Sequence, residues 1–420
     1  MNAFRLLFVA LVLSCLVAMD SRAADVTPPA GGFKVEDAKE PKKEDLRNFI
    51  PTLRAGQIPE EETAAFDGIV KFYVAEFTLP SNVNLLPKKR YDLKTKLKTA
   101  SNAPIADAHK RLRTLVRTGM MRQCGPEYHP FVRVNSMLVL AEMNEKEAPP
   151  DNKDPPIVDL DTLKFMIKAV EDPKQLDAVK AAALMGIDRN ARLGIKDERV
   201  AADVLKLAIE ISKPNNHEWL RRRGVMLIAA QGLVGKNAEA PKVLQELIAN
   251  PKEPLALRCA AARAFGSLDF STGPRIPFTL PILQLAHLSV EVLEKTKPKT
   301  GWNAQEMFAT EAFLRDIEIG LRGRPDPQPS FQEKPPDRGM LLVLTGLEDP
   351  QRKLLDEFAS LKFAPVAKIV YAFQPDKEKD LEVLISQLIS WAQAHPTETG
   401  KPPADKTAAK DNGASTVAKP

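Results

Sequence analysis

Four stretches of this chain repeat one pattern, and that register limits what it can fold into more than any other feature. They are "VRVNSMLVLAEM" from Val132, "VKAAALMGIDRN" from Val179, "LRRRGVMLIAAQ" from Leu220 and "LRCAAARAFGSL" from Leu257. With the first apolar residue as zero, position +1 is Arg133, Lys180, Arg221 and Arg258. Position +4 is Ser136, Ala183, Gly224 and Ala261, and position +8 is Leu140, Ile187, Ile228 and Phe265. Offsets of 0, 4 and 8 trace one face of an α-helix. A small residue in the middle of that face lets a second helix approach closely. The basic residues Arg133, Lys180, Arg221 and Arg258 are 47, 41 and 37 residues apart, a spacing that suits a two-helix repeat with loops of variable length.

The partner helices are legible just upstream. "IADAHKRLRTLVRTGM", "TLKFMIKAVED", "ERVAADVLKLAIEISK" and "APKVLQELIAN" precede the four copies in turn. "FTLPILQLAHLSVEVLEK" with "NAQEMFATEAFLRDIEIGLRG" makes a fifth pair that continues the helical pattern and loses the register. The run V/L-R-x-x-A-x-x-A-x-G, clearest in "LRCAAARAFG" from Leu257, resembles the second helix of a HEAT repeat over about residues 105–323. That resemblance implies an all-α fold, a right-handed α-α superhelix of about five helix pairs with a small, mostly helical C-terminal unit. It implies protein binding and scaffolding, and no chemistry. At position +3 the pattern departs: Asn135 and Arg223 stand where the other copies have Ala182 and Ala260.

Composition sets the rest of the organisation. Apolar residues make up 44% and charged residues 27% of 420, a globular balance able to bury a sizeable core. Residues 1–23 read as a signal peptide: Arg5 in the n-region, an apolar core from Leu6 to Met19, and Ser21-Arg22-Ala23 as the small-x-small cleavage site. Lipidation at Cys15 is the weaker alternative, because apolar residues follow it. Residues 24–43 read as a flexible lead-in, 44–323 as the helical repeat domain, 324–339 as a proline-rich linker, 340–395 as a helical cap and 396–420 as a disordered tail. Past the signal no apolar run is long enough to span a bilayer. These features predict a secreted or periplasmic protein, and the lack of an Asn-x-Ser/Thr sequon favours bacterial export.

Candidate sites are few. Arg221, Arg222 and Arg223 are consecutive on a predicted helix, so they fan about 100° apart and cannot converge on one ligand. Asn215 with Glu218 resembles a capping box, and Glu218 to Arg222 is a favourable i,i+4 pair. Arg223 falls on the inward side, where it needs a carboxylate or carbonyl partner or else lines a groove. The +1 row, Arg133, Lys180, Arg221 and Arg258, either makes structural contacts to neighbouring turns or forms a basic ladder, with Arg223 beside it, for an acidic surface or anionic envelope polymer.

"CGPEYHP" brings Cys124, Glu127 and His129 close in sequence, a weak set of metal donors with no CxxC or HxxxH to support it. Cys124 and Cys259, three repeats apart, read as buried free thiols. "GLVGKN", 232–237, fails as a phosphate loop: its first glycine is missing, Asn237 replaces Ser/Thr, and it follows a helix. A net charge of +5 and 6% aromatic residues argue against nucleic acid. The reading is a non-enzymatic scaffold without cofactor, binding a protein partner. The alternatives are an accessory subunit of an exported enzyme or redox complex, and an enzyme with a site near Cys124 or in 340–395.

Overall fold

The computed structural model describes residues 32–37, 39–149, 154–271, 273–274, 276–296, 304–323, 339–340, 352–354, 357 and 378–396. The signal peptide with Cys15, the linker 324–338, the tail 397–420 and most of 340–395 lie outside the described residues. The fold is all-α and solenoid-like, divided into two compact units.

Unit one holds α1 (Lys43–Ala55), α2 (Thr63–Ala75), α3 (Leu86–Ser101), α4 (Asp107–Gln123), α5 (Pro130–Glu142), α6 (Leu160–Glu171), α7 (Asp177–Leu193) and α8 (Glu198–Ile211). Alternate helices stack in layers, α1 on α3, α3 on α5 and α5 on α7, with α2 on α4 and α6 on α8. Consecutive helices also pack as hairpins, most closely α6 with α7. A short antiparallel pair, β1 (Asn144–Lys146) and β2 (Ile157–Val158), joins α5 to α6 with Asn144 opposite Val158. It was not expected; prolines at 149, 150, 155 and 156 bar a helix between the strands.

Unit two holds α9 (Glu218–Gln231), α10 (Glu239–Ala249), α11 (Leu255–Gly266), α12 (Thr279–Thr296), α13 (Ala304–Arg322) and α14 (Glu378–Ala394). One layer is α9, α11 and α13; the other is α10, α12 and α14. Helix α14, in the segment read as a cap, rests on α12, and the His287 ring meets the His395 carbonyl at 3.0 Å.

Each of the ten segments predicted as paired helices is a helix, from α4 to α13. Positions +4 and +8 are buried in all four copies. The small residues act as predicted. Ser136 is fully buried and its hydroxyl donates to Gln123 Oε1 at 3.0 Å, while Gln123 Nε2 donates to the Val74 carbonyl. Helices α11 and α13 approach so closely that a methyl group on Gly266 would overlap the Gly320 carbonyl. Burial of the Ala260–Ala262 run behind it leaves no slack.

Gly266→Ala is therefore expected to destabilise unit two by about 1–3 kcal/mol, the usual cost of overpacking. All three tryptophans, Trp219, Trp302 and Trp391, belong to that unit, so a urea titration followed by tryptophan fluorescence reads it. An unchanged midpoint would contradict the close packing.

Candidate functional site

The three consecutive arginines have three separate roles. Arg221 is buried, and its Nε donates to the Ser212 carbonyl at 3.1 Å. Its two terminal nitrogens grip the Glu253 carboxylate at 2.6 and 2.7 Å. Arg222 is exposed, and no ion pair joins it to Glu218 among the described residues. Arg223 is exposed as well, with its guanidinium 5.5 Å from the centre of the Trp219 ring. The inward placement expected for Arg223 is thus corrected. Helical side chains lean toward the N-terminus, and the long arginine reaches back four residues to the aromatic face. The N-cap is His217, whose Nδ1 accepts from the Trp219 N–H at 3.2 Å, in place of the Asn215 capping box.

The +1 row repeats the Arg221 arrangement. In α11, Arg258 is buried, its Nε donates to the Ile248 carbonyl at 3.0 Å, and its Nη1 donates to Glu291 at 2.6 Å. In α5, Arg133 is buried and donates to Gln175 Oε1 at 2.5 Å, while Gln175 Nε2 donates to the Cys124 carbonyl at 3.3 Å. Each arginine ties its own helix to the following pair. Arg221 and Arg258 also satisfy a carbonyl past or near the end of the preceding helix, where such groups lack an intrahelical partner and a cation is favoured. Lys180 is half-buried and forms no ion pair among the described residues. Arg133, Arg221 and Arg258 therefore act as internal fasteners, the structural-contact reading of the +1 row, and the alternative basic ladder loses these three members.

The Cys124 set does not come together. The Cys124 thiol is buried against the Arg133 carbonyl at 3.8 Å, and burial pushes it up to about 12. His129 caps α5, with Nδ1 accepting from the Phe131 N–H. Among the described residues no group of three or more His, Cys, Asp and Glu could hold a metal ion. Cys259 is also buried and free. In "GLVGKN" the turn is filled by the chain itself, since Asn237 N–H and Nδ2 donate to the Glu239 carboxylate at 3.1 and 3.0 Å.

The geometry that sequence reasoning missed lies in the lead-in. Residues 33–37 are bound as an extended strap across α2, α4 and the turn before α5. The Lys34 N–H donates to the Glu127 carbonyl at 2.9 Å, and the Glu36 N–H to Thr78 Oγ1 at 2.8 Å. The Glu36 carboxylate takes two parallel bonds from Arg122, both 2.9 Å, and one from the Tyr128 hydroxyl at 2.7 Å. The Phe33 ring meets His129 edge-on at 4.8 Å. Burial and the bond to Glu36 push the Tyr128 hydroxyl up to about 12. A half-open cleft of about 540 Å³ runs beneath the strap, lined by Lys71, Val74, Leu115, Gly119 and Arg122. A methyl group on Gly119 would meet Val74, so glycine lets α2 and α4 close the floor. One signal was present: Phe33 is the sole aromatic residue in a polar lead-in.

A second buried polar cluster sits on α4. Asp159 caps α6 through the Thr162 N–H and meets Arg117 at 3.2 Å and Arg113 at 3.7 Å. Beside it His109 is buried, and its Nε2 has no hydrogen-bond partner among the described residues. Burial, then the Arg113 charge, lower its pKa to about 4, against the pull of Asp159.

Two outcomes follow. Arg221→Ala leaves Glu253 buried and unpaired and is expected to cost about 3–5 kcal/mol in urea denaturation, whereas Arg223→Ala costs about 0.5 kcal/mol or less. Equal losses would contradict the assignment. His109 is neutral in the folded chain above pH 4 and charged in the unfolded chain below about pH 6.5. Its contribution to stability is therefore present above pH 6.5 and lost as pH falls toward 4. The urea midpoint of the chain, read by circular dichroism, should fall between pH 7 and pH 5 by less in His109→Leu than in the parent. An identical fall in both would refute the buried neutral histidine.

The chain matches no protein-family model and no curated protein sequence.

Proposed function

We propose that this chain is an exported, non-enzymatic scaffold of HEAT-like repeats that binds another protein. The observation that carries the reading is the strap: a surface of paired helices holds an extended segment by main-chain bonds and a clamped carboxylate. That is a mode in which one chain recognises another. The internal use of Arg133, Arg221 and Arg258 also favours a rigid frame, since each is neutralised or hydrogen-bonded within the chain. Support for export comes from residues 1–23 as a sequence, and for a periplasmic or secreted location from the same segment. No helix among the described residues is long and apolar enough to cross a membrane.

Affinity capture with residues 24–420 from the native envelope fraction, identified by mass spectrometry at low and high salt, tests the proposal. A reproducible protein partner is expected. An exported enzyme among the captured proteins would place the chain as that enzyme's accessory subunit. Failure to retain any protein at either salt concentration would contradict the scaffold reading.

A further inference from the structure

We propose that Thr78, Arg122, Glu127, Tyr128 and His129 form a recognition site for an extended acidic peptide of a partner protein, and that residues 33–36 are its resident, displaceable occupant. The inference rests on the scaffold reading and names the site and the chemistry of the partner.

The site reads four features of a peptide. His129 takes an aromatic ring. The Glu127 carbonyl and Thr78 Oγ1 take the N–H groups one and three residues later. Arg122 and Tyr128 take the carboxylate on that last residue. Bonding through every second N–H suits an extended segment, whose successive groups point to opposite sides. The pattern is aromatic-x-x-acid, written in this chain as Phe33-Lys34-Val35-Glu36.

One receptor group is held by a bond that does not involve the strap. Thr78 is buried, and its hydroxyl donates to the Ala75 carbonyl at 2.7 Å, which leaves its lone pairs aimed at an incoming N–H. Tyr128 is fully buried, and its hydroxyl donates to the Glu36 carboxylate. Planar, bidentate Arg122 selects a carboxylate over a neutral side chain. Charge agrees, because Lys71 and Arg122 line the same cleft as Glu36 and Asp37.

The strap itself is weakly embedded. Lys34, Val35 and Asp37 are exposed, with Val35 at 49%. The open cleft beneath shows that the strap bridges the surface more than it packs into it. What holds it is the Glu36 anchor, the Lys34 and Glu36 N–H bonds, the Phe33 ring contact and its tether to α1. A short tether gives an effective concentration on the order of mM, enough for a modest site to stay filled until a better or more concentrated segment displaces the strap.

The test uses the full mature chain and a fluorescein-labelled peptide of residues 30–39, AGGFKVEDAK, by fluorescence anisotropy. Glu36→Ala removes the anchor in cis and leaves the receptor intact. The peptide should bind Glu36→Ala at least tenfold more tightly than the parent chain. Adding Arg122→Met should abolish that binding, and a peptide with glutamine in place of its Glu36 should not bind the single variant. Matching melting curves of the variants confirm that the fold is kept, and Tyr128→Phe in the Glu36→Ala background gives a milder second receptor variant, expected to weaken binding severalfold. Equal peptide binding by Glu36→Ala and the parent overturns the proposal, as does binding that survives Arg122→Met. Partner capture by the parent chain alongside either of these results removes this site and leaves the scaffold reading standing.

Discussion

The structure depends on a buried guanidinium that joins three pieces of chain at once. Arg221 sits on α9, bonds the Ser212 carbonyl behind it and clamps Glu253 ahead of it. Arg258 repeats the arrangement with Ile248 and Glu291. A helix-pair repeat buries its apolar faces by stacking, and stacking alone leaves the angle between pairs loosely set. A planar donor fork with partners on both sides sets that angle, because each bond has a direction. Burial makes the arrangement all-or-none: an arginine at 6% or 5% exposure is tolerable only with its partners in place.

Small residues allow what the arginines fix. Ser136, Ala183, Gly224 and Ala261 sit at the middle of each inward face, and all are buried. At Gly266 and Gly320 the contact tightens until no side chain fits between α11 and α13. The same device at Gly119 brings α4 against α2, and the floor it forms is the one beneath the strap. Packing and the candidate peptide surface thus share one cause, the close approach of helices through a residue without a Cβ.

The helices were legible because their signal is local. A 3.6-residue apolar period and a recurring small residue are enough to place α4 to α13. The arginine contacts were only half legible. Their register was plain, but the partners Gln175, Glu253 and Glu291 lie 32 to 42 residues downstream and follow no fixed spacing. Arg223 was misplaced because position on a helical wheel ignores the reach of a long side chain, which here turns back to Trp219. The helix start at His217 was masked by the stronger pattern of Asn215 and Glu218, although His129-x-Phe131-x-Arg133 and His217-x-Trp219-x-Arg221 share a spacing that gives it away. The strap was least legible. Most of its residues are polar, proline lies on both sides of them, and their partners on α4 and its following turn are about ninety positions distant, so only the lone aromatic Phe33 marked it.

The central claim is that the register's arginines fasten the repeat from within. A double-mutant cycle on Arg221 and Glu253, with Arg221→Ala, Glu253→Ala and both together measured by urea denaturation under tryptophan fluorescence, tests it most directly. An internal fastener predicts a coupling energy of about 2 kcal/mol, within the range found for contacting groups. Additive losses, with no coupling between the two positions, would contradict it.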